Sequence, residues 1–253
     1  MGKNIAIIFA GGSGARMGSG IPKQFIEVNG KPIIIHTLDI FEDHPKIDEI
    51  YVACREDYIP TLAKLAKKFM INKLVKIVSG GTTGQDSIYK ALSAAAENNG
   101  DDTVVLIHDG VRPCINGDVI DDNINCVLKN GSAITCTPMI ETPIVSYDGE
   151  KVDAAPPRSE YYTAQAPQSF YLGDVMAAHN ATRKDNPMYE GIVDTYTLMR
   201  SLGKEVSIVK GPSGNIKVTT PEDLYAFRAM IEYRETRHIF GFSRNEVPNQ
   251  LKK

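Results

Sequence analysis

The stretch Ile5-Ala6-Ile7-Ile8-Phe9-Ala10-Gly11-Gly12-Ser13-Gly14-Ala15-Arg16-Met17-Gly18-Ser19-Gly20-Ile21-Pro22-Lys23-Gln24 decides how the rest of the chain is read. Ile5 to Phe9 is an unbroken apolar, β-branched-rich run, which predicts a strand buried on both faces. It stops at Ala10-Gly11-Gly12-Ser13-Gly14, where small residues leave backbone amides bare for an approaching phosphate. Arg16 and Lys23 follow closely, two flexible cations suited to neutralising a polyphosphate. A Walker A loop is excluded because Gly18 is followed by Ser19 rather than Lys. A dinucleotide fingerprint is excluded because Met17 occupies the place of its third glycine. The alternative is a glycine-rich strand-to-helix turn whose cations are incidental.

Outward from this loop, strand and helix patterns alternate. Phe25 to Val28 and Asn29-Gly30 read as a short strand and turn, and Lys31-Pro32 opens a helix from about Ile33 to Glu42. Ile50–Cys54 and Val75–Val78 predict buried strands, separated by an amphipathic helix over about 56–70. A helix over about 85–98 follows the Gly80-Gly81 turn, and Thr103–Ile107 is a fourth strand that ends at His108-Asp109-Gly110. A further helix spans about 117–128 with Gly131 as its stop signal, and Ala133–Thr137 returns to the sheet. Such alternation indicates an α/β, Rossmann-like, mostly parallel sheet covered by helices on both faces. Ligands of such sheets bind beyond the carboxyl ends of the strands, so the loops at 10–16, 79–84 and 108–113 should gather on one side.

From Pro138 to Gln168 the pattern changes. Thr142–Tyr147 and Lys151–Asp153 read as a β-hairpin on an Asp148-Gly149 turn, part of a projecting arm over residues 139–168. A hairpin of this length has little core of its own, which predicts packing on a partner chain; a mobile surface insertion is the other reading. Two helices over about 173–183 and 194–202, and a strand over 206–209, come next. Thr220-Pro221 with Asp223 carries the N-cap, first-position proline and capping-box signals of a long C-terminal helix.

The 253 residues allow one large α/β domain, here 1–253. Twenty-eight Lys and Arg against 31 Asp and Glu leave a formal charge of −3, so no net field favours nucleic acid. Four cysteines without a Cys-x-x-Cys pair argue against a zinc site or disulfide framework and fit a reducing cytosol. No apolar run approaches the roughly 20 residues of a membrane span. The expectation is a soluble cytoplasmic protein without nucleic-acid or membrane partners.

Several residues at the predicted carboxyl edge could carry chemistry. Asp109 would face the same crevice as the first loop, as a hard oxygen ligand for Mg²⁺ bridging triphosphate oxygens or as a simple turn residue. Arg112, followed by Pro113, suits a phosphate or a neighbouring chain. Ser87, after Gly81, either caps a helix or helps read a flat base edge. Lys217 in Asn215-Ile216-Lys217-Val218-Thr219 precedes a helix N-terminus, an anion site or a solvated lysine. No Gly-x-Ser-x-Gly elbow and no His-Glu-x-x-His occurs, and His108 reads as structural. Lacking a nucleophile-and-base pair, the chain fits a reaction in which a substrate phosphate oxygen attacks and the protein supplies position and positive charge.

These blocks together resemble the cytidylyltransferases that make CDP-methylerythritol or CDP-ribitol, over nearly the whole chain. The matching segments are Ala10 to Met17, Pro22-Lys23-Gln24, Gly80-Gly81 to Asp86-Ser87, His108 to Pro113, Glu141-Thr142, Pro167-Gln168 and Asn215 to Thr219. The resemblance implies CTP and a polyol phosphate as substrates, Mg²⁺ as cofactor, and a homodimer joined through the arm. Arg16, Lys23 and Lys217 would be catalytic, and Asp109 would hold the metal. Ala10, Gly11, Gly12, Gly14, Gly81, Ser87, Arg112, Thr142 and Arg158 would bind substrate, the last two reaching across to the partner. The segment Arg158–Tyr162 leading to Phe170 looks more like the ribitol-phosphate enzymes than the methylerythritol ones. Ala166 and Gly110 depart from the usual Thr, and Ala or Ser, of both groups. A nucleotide-binding regulatory protein is the alternative from another class; it predicts CTP binding with no turnover to lose.

Overall fold

The computed structural model describes residues 2–12, 17, 18 and 20–236. In chain order the elements begin with β1 (Asn4–Ala10), the short pair β2 (Glu27–Val28) and β3 (Lys31–Pro32), α1 (Ile33–Glu42), β4 (Glu49–Cys54) and α2 (Ile59–Lys68). They continue with β5 (Leu74–Ser79), α3 (Gly84–Ala96), β6 (Val104–Asp109), α4 (Gly117–Asn130) and β7 (Ser132–Pro138). The last are β8 (Tyr162–Tyr171), α5 (Leu172–Asp185), α6 (Thr195–Ser201), β9 (Ile208–Lys210) and α7 (Pro221–Thr236).

A seven-stranded sheet runs in the order β5-β4-β1-β6-β8-β7-β9. Every neighbouring pair is parallel except the two that involve β8, which is antiparallel to β6 and β7. The apolar run of β1 explains its central place. Ala6, Ile8 and Ala10 pack with α1, α2 and α4, while Ile5 and Ile7 pack with α3, α5 and α6 on the opposite face. Ile5, Ile7 and Ile8 are wholly buried, each worth about 2 kcal/mol over an exposed position. A smaller cluster of Val28, Ile33, Val111, Cys114, Val218 and Phe227 fastens α7 and the β2–β3 pair beside the carboxyl edge. The Thr220 and Asp223 cap forms as expected, with Thr220 N–H donating to Asp223 Oδ2 at 2.8 Å.

The arm differs from expectation at its C-terminal end and in its ladder. Tyr162–Gln168, assigned above to the arm, belongs to β8, a strand of the central sheet. Its polar residues and Pro167 disguise the strand, because their side chains are satisfied by partners distant in sequence. Ser169 Oγ donates to Asn123 Oδ1 at 2.9 Å, Asn123 Nδ2 donates to Thr135 Oγ1 at 2.9 Å and to Val119 O at 2.8 Å, and Thr135 Oγ1 donates to Pro167 O at 2.8 Å. Asn123, Thr135 and Ser169 are all 0% exposed, so the network locks α4, β7 and β8 together inside the protein. Asn123→Ala should therefore lower stability by about 3 kcal/mol, since it strands buried partners. Thermal unfolding should show a fall of roughly 6–12 °C; a shift within 2 °C would mean the network carries no weight.

Residues 139–161 form the remaining arm. The Asp148-Gly149 turn sits where the sequence places it, with Asp148 Oδ1 accepting from Glu150 N–H at 2.8 Å. The ladder beside it is reduced to one bridge, Val145 with Ala154. Ile140, Ile144, Tyr147, Val152 and Tyr161 are 72%, 59%, 88%, 62% and 39% exposed, so among the described residues nothing covers these side chains to extend the pairing.

Candidate active site

Three strand ends and the segment after β9 line a cleft of about 470 Å³. Its walls include Ala10, Gly11, Gly12 and Lys23 from the first loop, Gly81 and Ser87 from the β5–α3 turn, Asp109 from β6, and Lys217. The expected gathering of the loops is thus observed for the described residues. Gly14 and Arg16 lie outside them.

The first loop is held by Gln24, whose buried side-chain amide donates to Ala10 O at 2.7 Å and Gly12 O at 3.2 Å. Pro22-Lys23-Gln24 therefore braces the glycine turn from beneath while Lys23 faces the cleft. A Cβ on Gly11 would come 3.1 Å from Ser87 Oγ, so the two loops approach too closely for a larger residue to be neutral there. A Cβ on Gly12 would meet no described residue within 4 Å, so its smallness serves no packing need among them.

Ser87 Oγ accepts from Gly81 N–H at 2.9 Å and donates to Thr83 O at 2.9 Å. It staples the β5–α3 turn, and the helix cap is supplied instead by Thr83, which accepts from Asp86 N–H at 3.1 Å. Asp86 Oδ2 accepts from Thr82 N–H at 3.2 Å, and Arg183 Nη1 of α5 donates to Asp86 Oδ1 at 2.7 Å. A Cβ on Gly81 would come 2.2 Å from Asp86 Oδ2, so this turn closes only around glycine. Arg183 also stacks on the Tyr89 ring, 4.3 Å from its centroid. Burial pushes the Asp86 carboxyl up, but Arg183 and the Thr82 amide prevail and hold it below the usual range. None of this brace is visible in local sequence, since Arg183 lies 97 residues from Asp86. Arg183→Met should loosen the turn and raise KM severalfold for the CTP that the sequence resemblance implies, with kcat little changed; equal KM in steady-state kinetics would refute the brace.

At the centre, Asp109 Oδ1 meets Lys217 Nζ at 2.6 Å and Oδ2 meets Arg112 Nε at 2.8 Å. Asp109 is 6% exposed. Burial raises its carboxyl, but Lys217 and Arg112 outweigh that effect and keep it ionised, below the usual range. Arg112 Nη1 also donates to Asn215 O at 2.8 Å, so this guanidinium ties β6 to the segment that carries Lys217. The sequence, which reads Arg112 as suited to a phosphate or a neighbouring chain, gives no sign of this internal pairing. His108 is wholly buried, which pushes its imidazole down to about 4, and it pairs with Arg112 O at 3.0 Å. The carbonyl partner fixes the proton on Nε2, and burial keeps the ring neutral, so His108 is a structural residue. Thr142 and Arg158 lie on the exposed arm and line no part of this chain's cleft; Arg158 Nη1 donates to Ile140 O at 2.8 Å.

A glycine turn beside Lys23, and a buried carboxylate clamped by two cations, suit the phosphates of a nucleoside triphosphate. The family profile described as IspD, 2-C-methyl-D-erythritol 4-phosphate cytidylyltransferase, matches residues 4–233. The chain belongs to this family. It is thus a nucleotidyltransferase of the cytidylyltransferase kind. A ribitol-5-phosphate cytidylyltransferase of Streptococcus agalactiae serotype III is 45% identical over 94% of this chain and 99% of that protein. A 2-C-methyl-D-erythritol 4-phosphate cytidylyltransferase of Clostridium botulinum Langeland is 37% identical over 92% of this chain and 99% of that protein. The crystal structure of 4-diphosphocytidyl-2C-methyl-D-erythritol synthase from Anaerococcus prevotii superposes with a TM-score of 0.79 at 30% identity, over 91% of this chain and 96% of that one. Within the IspD family frame, the α/β fold read from the sequence is borne out. Among the described residues no helix is long and apolar enough to cross a membrane.

Proposed function

We propose that the chain transfers the cytidylyl group of CTP to D-ribitol 5-phosphate, giving CDP-ribitol and pyrophosphate. What carries this reading is the pairing of a triphosphate cleft with greater identity to ribitol-phosphate than to methylerythritol-phosphate relatives, 45% against 37%. The triphosphate would lie on the Gly11–Gly12 amides with the cytosine against the Gly81–Ser87 turn. An oxygen of the acceptor phosphate attacks the α-phosphorus, the bond to the bridging β-oxygen breaks, and pyrophosphate leaves with that electron pair. No protein nucleophile is required. Lys23 and Lys217, joined by Arg16, neutralise charge that grows on the α-phosphate oxygens.

Mg²⁺ fits this donor set as a companion of the triphosphate. Asp109 is the one carboxylate among the described lining residues, and no cluster of three candidate ligands exists among the described residues. Phosphate oxygens and water would have to supply its other ligands. When bound, the ion would supply Lewis-acid neutralisation of the triphosphate. Asp109 would offer Oδ1 once Lys217 turns to phosphate.

The arm supports a homodimer, because its five exposed large hydrophobic side chains suit a second copy. Thr142 and Arg158 would then help hold the acceptor phosphate in the partner's cleft. The four free cysteines suit a reducing cytoplasm.

Pyrophosphate release from CTP, measured with ribitol 5-phosphate and 2-C-methylerythritol 4-phosphate side by side, tests the assignment. Turnover should require the added acceptor and favour ribitol 5-phosphate in kcat/KM. Preference for methylerythritol phosphate would transfer the function to the other branch of the family.

A further inference from the structure

A second cavity, of about 150 Å³, lies on the far side of the Asp109–Lys217 pair. Its origin is a register change in β8. Ile134 pairs with Gln168, but Cys136 pairs with Ala164, so four residue steps on β8 cover two on β7. The pairing of β8 with β6 ends at Ile107–Gln168, and the slack around Gln165–Pro167 opens a gap beside Asp109. Bulges of this kind recur next to functional sites because they re-aim side chains.

Three glutamines line the gap, and two of them are occupied. Gln165 Oε1 accepts from Asn215 Nδ2 at 3.1 Å, and Gln168 Oε1 accepts from Tyr196 N–H at 2.8 Å. Gln85, the second residue of α3, is 3% exposed, and its Oε1 is sealed from solvent without a partner. Its Nε2 makes no hydrogen bond with any described residue either. A sealed carboxamide oxygen without a partner is rare, and a bound ligand is one of the few reasons for it to persist.

We propose that this cavity receives the hydroxylated chain of the acceptor and that the Gln85 carboxamide reads one of its hydroxyls. The inference rests on the polyol-phosphate reading above and adds a specificity residue to it. A hydroxyl both donates and accepts, so it satisfies the amide whichever way the amide is turned. Phe9, Ile88 and Ile107 supply apolar lining for the carbon edge of the chain. The cavity shares Phe9, Gly84, Asp109 and Lys217 with the larger cleft. Both of its cations, Arg112 and Lys217, are tied to Asp109, so a phosphate rests at that shared wall while a neutral chain lies inside. A molecule held that way presents its phosphate to the α-phosphate in the larger cleft.

The test is Gln85→Met, which keeps length and approximate volume but removes both hydrogen-bonding atoms. KM for ribitol 5-phosphate should rise about tenfold or more, while KM for CTP and the thermal midpoint stay close to wild type. Among singly deoxygenated pentitol 5-phosphates, one should be handled equally by wild type and variant, identifying the hydroxyl read. An unchanged KM for ribitol 5-phosphate overturns the proposal, as does a parallel rise in KM for CTP, which would mark Gln85 as part of the turn's framework. A wild-type enzyme inactive with every polyol phosphate would instead sink the parent function, and this inference with it.

Discussion

Lys217→Ala is expected to lower kcat for cytidylyl transfer by about a hundred- to a thousandfold, and Lys23→Ala by a similar factor. Both lysines line the cleft, and neither is part of a hydrophobic cluster. Lys217 is 42% exposed at its side chain, so the fold gains little from it directly. Its ammonium sits 2.6 Å from Asp109 in the free protein, ready to exchange that carboxylate for a phosphate oxygen as charge builds in transition. The alanine variant keeps the Arg112–Asp109 pair at 2.8 Å, so its unfolding temperature should move by only a few degrees. Single-turnover rates with saturating CTP would separate chemistry from binding. A kcat within threefold of wild type would remove Lys217 from the reaction. A nucleotide-binding regulatory protein would show neither loss.

Asp109→Ala should damage activity and stability together. Taking one member from a buried ionic cluster leaves the other charge without compensation, here Arg112, whose side chain is 13% exposed. Such a loss is about 3 kcal/mol or more in fully buried pairs. Lys217 can swing into water, so about 2–3 kcal/mol is expected, a fall in unfolding temperature of roughly 5–10 °C. The effect should depend on pH in a defined direction. Asp109 is depressed in the folded chain relative to its ordinary value of 3.8. Its contribution is therefore complete above that value and fades as pH falls through the folded value. The stability gap between wild type and variant should be full at pH 7 and narrow below about pH 4. A gap that widened in acid would mean that the carboxylate is not stabilised by its two cations.

The two substitutions probe different halves of one arrangement. Lysine loss should affect rate far more than stability, whereas aspartate loss should affect both. If Lys217→Ala and Asp109→Ala gave the same loss of stability, the ion pair would be a structural clamp rather than a poised catalytic contact.

Most of the parallel half of the sheet was legible because its cause is local. The Ile5–Phe9 run, the glycine stop and the alternating helical faces each fix an element with neighbours close in sequence. Helix α1 has the bounds that its pattern predicts, Ile33–Glu42. The meeting of the loops that carry Gly11, Gly81 and Asp109 was also foreseeable, since strand ends in a parallel sheet share an edge, whereas Lys217 was placed there by the family resemblance. The antiparallel half was not. Strand β8 carries Gln165, Pro167, Gln168 and Ser169, a composition that reads as loop until Asn123 and Thr135 are known to stand opposite. The Arg183 brace on Asp86 and the unpaired Gln85 were hidden for the same reason. Their meaning depends on partners, or on a missing partner, that chain order does not bring near. The sequence by itself determined the phosphate loop, the parallel core and the chemistry those cations permit, because apolar periodicity and glycine spacing act over a few residues. Only the tertiary structure decided that β8 joins the sheet, that Asp109 is clamped from two sides, and that a second cavity opens beside it. Each depends on polar groups that become stable inside the protein only when distant segments satisfy them.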